Sequence, residues 1–194
     1  MSESRLPAEA RRLGAWRTRK NSCLKMTIAQ LNAADRVTFV ATIGFVFEGS
    51  PWIAEAAWEQ RPFADVDALH RAMLALLEDS PLDRRIAVIA AHPDLAGRLA
   101  REGRLTHASR SEQISAGLDR LTPEQSARFE SLNAEYHRRF GFPFVVCVRE
   151  NTEESLLAAL AARTQNDRAT EISSALVEIG KIARLRLLDC VTPS

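Results

Sequence analysis

The sequence has few cysteines, almost no excess charge and no long apolar run, and each shortage excludes a class of protein. Its three cysteines, Cys23, Cys147 and Cys190, show no short paired spacing, which argues against a disulfide framework or a structural zinc site. With 26 Lys and Arg against 25 Asp and Glu, the chain lacks the excess of cations typical of nucleic-acid-binding proteins. No apolar run approaches the length of a membrane span. A chain of 194 residues with 46% hydrophobic residues is predicted to form one globular domain.

The charge is unevenly distributed along the chain. Residues 1–25 hold seven Arg and Lys against two Glu, a net charge of +5, which leaves −4 for residues 26–194. We expect residues 1–25 to be a disordered basic leader, as translation from a start upstream of Met26 would produce. A transit-like segment and a nucleic-acid-binding arm are the alternatives for this leader.

From Met26 onward the chain carries the start signals of helices. Asn32 is predicted to cap a helix, because an apolar run with Asp35 in its first turn follows it. At Ser50-Pro51 and Ser80-Pro81, a hydroxyl that can cap precedes a proline suited to the first helical position. Further starts are predicted at Asp65, at Thr122 with Gln125 in a capping box, at Thr152, and at Asn166 or Asp167; Gly141 is placed to end the helix that starts at Thr122.

Strand signals are nearly absent. The one strand-like run is Phe144-Val145-Val146-Cys147-Val148, and a single run cannot form a sheet. The sequence therefore predicts an all-α domain over residues 26–194, a compact bundle of about eight helices with one short extended segment.

Three short stretches depart from simple amphipathic patterning and are candidate sites. In the first, proline disfavours helical geometry at the preceding residue, so His92-Pro93 should lie where one helix breaks. Histidine exchanges protons near neutral pH, which makes His92 a candidate acid/base catalyst. A histidine at a helix C-terminus or in the core is the structural alternative.

The second stretch is Ser109-Arg110-Ser111-Glu112-Gln113. Ser109 and Glu112 fit a reciprocal capping box, and that structural role would account for both residues. As a site, the same helix start would offer N–H groups, an amide and a carboxylate to a polar heterocycle, and Glu112 could orient His92.

The third stretch is Phe140-Gly141-Phe142-Pro143-Phe144-Val145-Val146. It is either a buried turn into the core or an extended backbone that offers N–H and C=O groups to a ligand with amide-like edges. Periodicity does not choose between these alternatives. The sequence also has no histidine pair with metal-ligand spacing, no Gly-rich phosphate loop and no nucleophile elbow.

Taken in order, these stretches closely resemble the OHCU decarboxylase family, whose members decarboxylate 2-oxo-4-hydroxy-4-carboxy-5-ureidoimidazoline (OHCU) to (S)-allantoin in urate degradation. The resemblance covers about residues 28–191. The motifs that carry it are Glu48, Ser50-Pro51-Trp52, Arg61-Pro62-Phe63, His-Pro-Asp-Leu at 92–95, Ser-Arg-Ser-Glu-Gln at 109–113, Leu-Asn-Ala-Glu-Tyr at 132–136, Phe-Gly-Phe-Pro-Phe at 140–144 and the closing run 178–187.

The resemblance implies an all-α, cofactor-free, homodimeric enzyme. The balanced charge and the lack of a long apolar run argue against a nucleic-acid or membrane partner. The family's catalytic acid/base falls on His92, and the assisting glutamate falls on Glu112. The implied substrate contacts are Pro93, Ser109, Arg110, Ser111, Glu112, Gln113, Phe144, Val145, Val146, Cys147, Val148 and Arg163. The C-terminal Thr192-Pro193-Ser194 differs from a Ser-Lys-Leu peroxisomal signal, so we expect a cytoplasmic location.

A non-enzymatic helical module is the alternative of a different class. Such a module would bind a ureide or purine metabolite and regulate a partner, and His92 and the Ser109–Glu112 pair would then be structural. It predicts saturable binding without release of carbon dioxide.

Overall fold

The computed structural model describes residues 25–97, 103 and 105–192. Nine α-helices lie within these residues: α1 Ile28–Ala33, α2 Arg36–Ile43, α3 Trp52–Trp58, α4 Val66–Glu78, α5 Leu82–Ala90, α6 His107–Ser115, α7 Pro123–Phe140, α8 Glu153–Arg163 and α9 Arg168–Cys190. A short 3₁₀ helix spans Val148–Glu150, and two strands, β1 Met26–Thr27 and β2 Val191–Thr192, complete the fold. The predicted leader lies outside the described residues, apart from Lys25.

The helix α9 lies at the centre of the fold. It contacts α2, α4 and α5, and its apolar positions are buried along most of its length. The apolar face of α4, with Leu69 and Met73, is buried against the same core, as the three- and four-residue spacing predicts. The prediction of an all-α domain is confirmed.

The two strands form a small parallel pair that the sequence did not predict. Met26 is paired with Val191, and Thr27 with Thr192, so the residues just before α1 and just after α9 lie side by side. A strand of two residues has no periodicity of its own, which is why its sequence carries no strand signal.

Most of the predicted helix starts are confirmed. The side chains of Asp65, Thr122, Thr152 and Asp167 each accept a hydrogen bond from a backbone N–H in the first turn of the helix that follows. Gly141 ends α7 with a positive φ of 79°, a conformation that glycine adopts without steric cost.

Three predicted caps are wrong. Asp35, not Asn32, caps α2, since its carboxylate accepts from the Thr38 N–H at 2.7 Å. Asn32 lies inside α1 and pairs with both backbone groups of Phe63, a partner that is distant in the sequence. The caps predicted at Ser50 and Ser80 also fail, because Pro51 and Pro81 occupy the cap positions of α3 and α5 without a side-chain cap. The Ser80 hydroxyl instead donates to the Leu77 carbonyl in the preceding helix.

Within the described ranges, none of the helices has the length and apolar character needed to cross a membrane.

Candidate active site

His92 lies just beyond the C-terminal end of α5, where Pro93 prevents the helix from continuing. Its ring is buried, and Nδ1 lies 2.9 Å from the carbonyl oxygen of Val88, one turn back in α5. Because a carbonyl only accepts hydrogen bonds, Nδ1 carries the proton of the neutral ring. Nε2 is then an acceptor, and it has no hydrogen-bond partner among the described residues.

The surroundings of His92 keep its ring neutral. Burial lowers the pKa of His92 to about 4, although the negative charge of Glu48 acts in the opposite direction. Near neutral pH the ring therefore carries no charge, and its unprotonated Nε2 is a potential proton acceptor.

His92 lines a small cavity of about 30 Å³. The lining residues are His92, Pro93, Leu95, Ser109, Glu112, Gln113, Phe144, Val145, Val146, Val148, Ile182 and Arg186. The three candidate stretches therefore meet around one space. Four predicted site residues are not in its lining: the side chains of Arg110 and Ser111 are exposed on α6, Cys147 is buried in the neighbouring core, and Arg163 lies elsewhere.

The turn that follows His92 is held by amide side chains. Gln113 on α6 accepts a hydrogen bond from the Ala96 N–H and donates to the Asp94 carbonyl, and Asn133 on α7 donates to the Leu95 carbonyl. Ala96 has a φ of +50°, which L-residues rarely adopt, so these contacts hold the backbone in an unfavourable conformation. One of the two Nε2 hydrogens of Gln113 is used in this way.

The helix α6 starts three residues earlier than the sequence predicts. Thr106 is its N-cap and accepts from the Ser109 N–H at 3.3 Å. The capping box predicted for Ser109 and Glu112 is therefore wrong, because both residues lie inside the helix. The Ser109 hydroxyl instead donates to Glu48 at 2.8 Å in a buried contact.

Arg186 on α9 joins two carboxylates beneath the cavity. Its Nε and Nη2 bind the two carboxylate oxygens of Glu112, each at 2.8 Å, and its Nη1 binds Glu48 at 2.9 Å. Nη2 also donates to the Ser109 hydroxyl oxygen. Burial alone would raise the pKa of Glu48, but the charge of Arg186 and hydrogen bonds from Thr106 and Ser109 lower it below its ordinary value. Glu48 is thus held ionised, and Glu112 is oriented by Arg186 while the His92 ring is oriented by Val88.

The run Phe144–Cys147 is buried and belongs to none of the described helices or strands; Cys147 has extended backbone angles, and Val148 begins the 3₁₀ helix. Arg163, at the end of α8, lies behind this run: its Nη1 donates to the Val145 carbonyl at 2.9 Å, and its guanidinium stacks on the Phe144 ring. Its other contact is an ion pair with the buried Glu171. Within the described residues, no group of three or more His, Cys, Asp or Glu side chains is arranged to hold a metal ion.

Comparison with known proteins identifies the family. The family model described as OHCU decarboxylase matches residues 32–188. The chain is 42% identical over 166 residues to the 2-oxo-4-hydroxy-4-carboxy-5-ureidoimidazoline decarboxylase of Amia calva, covering 86% of this chain and 95% of that protein. It is 38% identical over 169 residues to the enzyme of the same name from Halalkalicoccus jeotgali, covering 87% and 94%. The chain belongs to the OHCU decarboxylase family.

Solved structures agree with this membership. A crystal structure of an (S)-allantoin synthase superposes with a TM-score of 0.70 at 29% identity, covering 86% of this chain and 54% of the other. A crystal structure of an OHCU decarboxylase in the presence of (S)-allantoin gives a TM-score of 0.61 at 22% identity, covering 74% and 92%, which supports the shared fold.

Sequence reasoning missed part of the site in this OHCU decarboxylase family member. Leu95, Ile182 and Arg186 line the cavity, and Glu48 supports it from below. A signal for Arg186 was present: it lies three residues after Ala183 and seven after Ile179, so a charge occupies the apolar face of α9. Glu48 lies between helices, where no periodicity marks a buried position.

Proposed function

We propose that this chain catalyses the cofactor-independent decarboxylation of OHCU and the stereospecific protonation that gives (S)-allantoin, in urate degradation. The observation that carries the proposal is the unpartnered, buried Nε2 of His92, which lies in a cavity shared with Glu112 and the Phe144–Val146 backbone. Family membership supports the same reaction. At about 30 Å³, the cavity admits a ureidoimidazoline only when its lining side chains move outward.

The substrate itself supplies the electron sink. As its name states, OHCU carries a carboxylate and a hydroxyl on C4 and a ureido group on C5. Loss of carbon dioxide breaks the C4–carboxylate bond, and the electron pair that remains is delocalised into the adjacent unsaturated ring. The protein then has to orient the ring and move protons.

A neutral His92 suits the proton transfer that follows. In (S)-allantoin, C4 is a carbonyl and C5 bears a hydrogen, so the hydroxyl proton leaves as C5 is protonated. The ring nitrogen that receives the electron pair takes up one proton from solvent. The Nε2 of His92 accepts the hydroxyl proton, and the resulting imidazolium donates it to C5 on the face that the imidazolium occupies. General acid–base catalysis of this kind contributes about 10²–10⁴-fold in rate.

Polar groups around His92 would bind the rest of the substrate. The Glu112 carboxylate, oriented by Arg186, accepts from a ureido or ring N–H, while the Gln113 amide and the backbone of the 144–148 segment bind ring oxygen and nitrogen. Phe144, Val145 and Val146 exclude bulk water that would protonate the opposite face. Arg110 and Ser111, at the exposed side of α6, are proposed to contact the substrate only at the cavity entrance.

The decisive experiment supplies OHCU freshly generated from urate by the two upstream enzymes and follows the circular dichroism of allantoin. The proposal predicts rapid formation of the S enantiomer. Allantoin that forms no faster than the spontaneous racemic background would overturn it. His92→Asn protein is the matched control for non-specific catalysis by the preparation.

We also propose a homodimer located in the cytoplasm, which rests on the resemblance to the family. Light scattering coupled to gel filtration tests the dimer against the 21.6 kDa mass of one chain. Cell fractionation tests the location.

A further inference from the structure

The run Phe144–Cys147 beside the cavity is fixed from its outer side by two charged side chains. Arg163 donates to the Val145 carbonyl at 2.9 Å, and the Glu178 carboxylate accepts from the Cys147 N–H at 2.8 Å. Both side chains line one open groove along α9, and neither lines the cavity. The two contacts therefore approach the run from the same side, away from the cavity.

These contacts determine the direction of the two peptide groups on either side of Val146. In a trans peptide the C=O and N–H point in opposite directions. Since the Val145 carbonyl points to Arg163, the N–H of Val146 points away from it. Since the Cys147 N–H points to Glu178, the carbonyl of Val146 points away from that carboxylate. Val146 lines the cavity, so both of its backbone groups are directed inward.

Within the described residues, neither the N–H nor the C=O of Val146 has a hydrogen-bond partner, although the residue is buried. Buried backbone groups are nearly always paired, so this donor and acceptor are the groups that a ligand would satisfy. Because the two peptide groups are turned the same way by Arg163 and Glu178, the N–H and C=O of Val146 point to one side, where they can bind a complementary N–H and C=O pair. A lactam or urea edge of a small ring presents that pair.

We propose that Arg163 and Glu178 are positioning residues that orient Val146 to bind the N–H and C=O edge of the substrate ring. This inference rests on the proposed function and assigns the selection of the substrate ring to the backbone of Val146. Neither residue touches the reacting atoms; each acts through a peptide group.

Arg163 is itself held rigidly. Its Nε binds the fully buried Glu171 at 2.8 Å, and Glu171 also accepts from the Tyr136 hydroxyl and from Asn166. Burial and the neighbouring Glu171 raise the pKa of Tyr136 above its ordinary value, so the hydroxyl remains a donor. The guanidinium thus has one position, and the Val145 carbonyl has one direction.

The first test is Glu178→Ala, with (S)-allantoin as the binding probe and OHCU as the substrate. Loss of the acceptor frees the Val146–Cys147 peptide to rotate, and we expect the Kd for (S)-allantoin and the KM for OHCU each to rise about tenfold. The pH profile of kcat should not change, because His92 is untouched. Glu178→Gln retains an amide oxygen as acceptor and should restore most of the affinity.

Lys181→Ala is the matched control. Lys181 binds the other carboxylate oxygen of Glu178 at 2.6 Å, so its loss removes a partner of Glu178 without removing the peptide contact. Its Kd should match that of the unmodified protein. Arg163→Lys is the second variant, because a lysine keeps a cation beside Glu171 but cannot also reach Val145 as the forked guanidinium does. Its Kd should rise in the same direction as that of Glu178→Ala.

Thermal melting confirms which variants are folded. The inference is overturned if folded Glu178→Ala binds (S)-allantoin within about twofold of the unmodified protein, or if Lys181→Ala weakens binding equally. Failure of the unmodified chain to decarboxylate OHCU would overturn the proposed function instead, and the comparison of Kd values would still test the positioning role.

Discussion

Arg186 binds the Glu112 carboxylate through two parallel hydrogen bonds, Nε to Oε1 and Nη2 to Oε2, both at 2.8 Å. The pair lies under the cavity, with the Arg186 side chain 2% exposed. Because Glu48 binds the same guanidinium, one cation neutralises two carboxylates only in part. The site therefore retains negative charge next to the neutral ring of His92.

Arg186→Met should destabilise the protein strongly. Removing the cation leaves the buried Glu48 and the part-buried Glu112 without their counter-ion, which costs about 3–5 kcal/mol in free energy of unfolding. Denaturant unfolding measures the loss. Arg149→Met, which breaks the exposed pair with Asp189, is the control and should cost less than about 1 kcal/mol. Equal losses for both variants would contradict the buried network.

His92→Asn should remove activity and leave the fold intact. The substitution removes the proton acceptor Nε2, and we expect kcat to fall about 10²–10⁴-fold. Initial rates with fresh OHCU measure the loss, and circular dichroism checks the helical content. Near-normal turnover in the folded variant would assign the proton transfer to another group.

The rate should depend on pH through the neutral form of His92. Because burial lowers the pKa of His92 to about 4, kcat/KM should rise through that pH and then stay level towards neutrality. Rates of OHCU consumption across pH 4 to 7 provide the measurement. An acidic limb centred near 6.5, the value of an ordinary histidine, would show that the ring is solvated in the working enzyme.

The free energy of unfolding should also depend on pH through His92. Between pH 6.5 and about 4 the unfolded chain binds a proton at His92 that the folded chain does not, so stability falls as pH falls. His92→Asn lacks this contribution. The slope of its unfolding free energy against pH should therefore be smaller than that of the unmodified protein by up to about 1.4 kcal/mol per pH unit. Parallel denaturant titrations at several pH values compare the slopes. Identical slopes would mean that the pKa of His92 is not lowered by folding.

Asparagine substitutions test whether Thr106, as observed, or Ser109, as the sequence predicts, caps α6. Asparagine caps helices as well as threonine does but does not reproduce the side-chain hydrogen bond of Thr106 to Glu48, so Thr106→Asn should cost about 0.5–1 kcal/mol. Ser109→Asn places a larger side chain in the buried contact with Glu48 and Arg186 and should cost about 1–3 kcal/mol. Thermal melts show which variant loses more stability. A larger loss in Thr106→Asn than in Ser109→Asn would favour Ser109 as the cap.

Local chemistry explains which helix starts were predictable. Thr122 and Gln125 form a capping box whose donors and acceptors lie within three residues, so the sequence contains the whole interaction. The cap predicted at Asn32 is wrong because the Asn32 amide pairs with the backbone of Phe63. The cap predicted at Ser80 is wrong because the Ser80 hydroxyl binds the preceding helix. A side chain that finds a distant or preceding partner is no longer available as a cap.

The sequence predicts the segments that line the cavity near His92 and Phe144, but not the ion-pair cluster around Arg186. The break at His92-Pro93 and the run at 144–147 are local features, and both line the cavity. The partners of Arg186 lie 74 and 138 residues away, in segments whose spacing carries no common period. Arg163 illustrates the same limit, since its contact with Val145 depends on how α8 packs.

The parallel pairing of Met26–Thr27 with Val191–Thr192 has a consequence for protein engineering. Paired strands lie about 4.8 Å apart, so a linker of a few glycines and serines can join Thr192 to Met26. New termini opened at an exposed connection, such as Asp119-Arg120 before α7, would then give a circular permutant with the His92 cavity unchanged. The same geometry allows the domain to be inserted into a loop of a host protein without separating its first residues from its last.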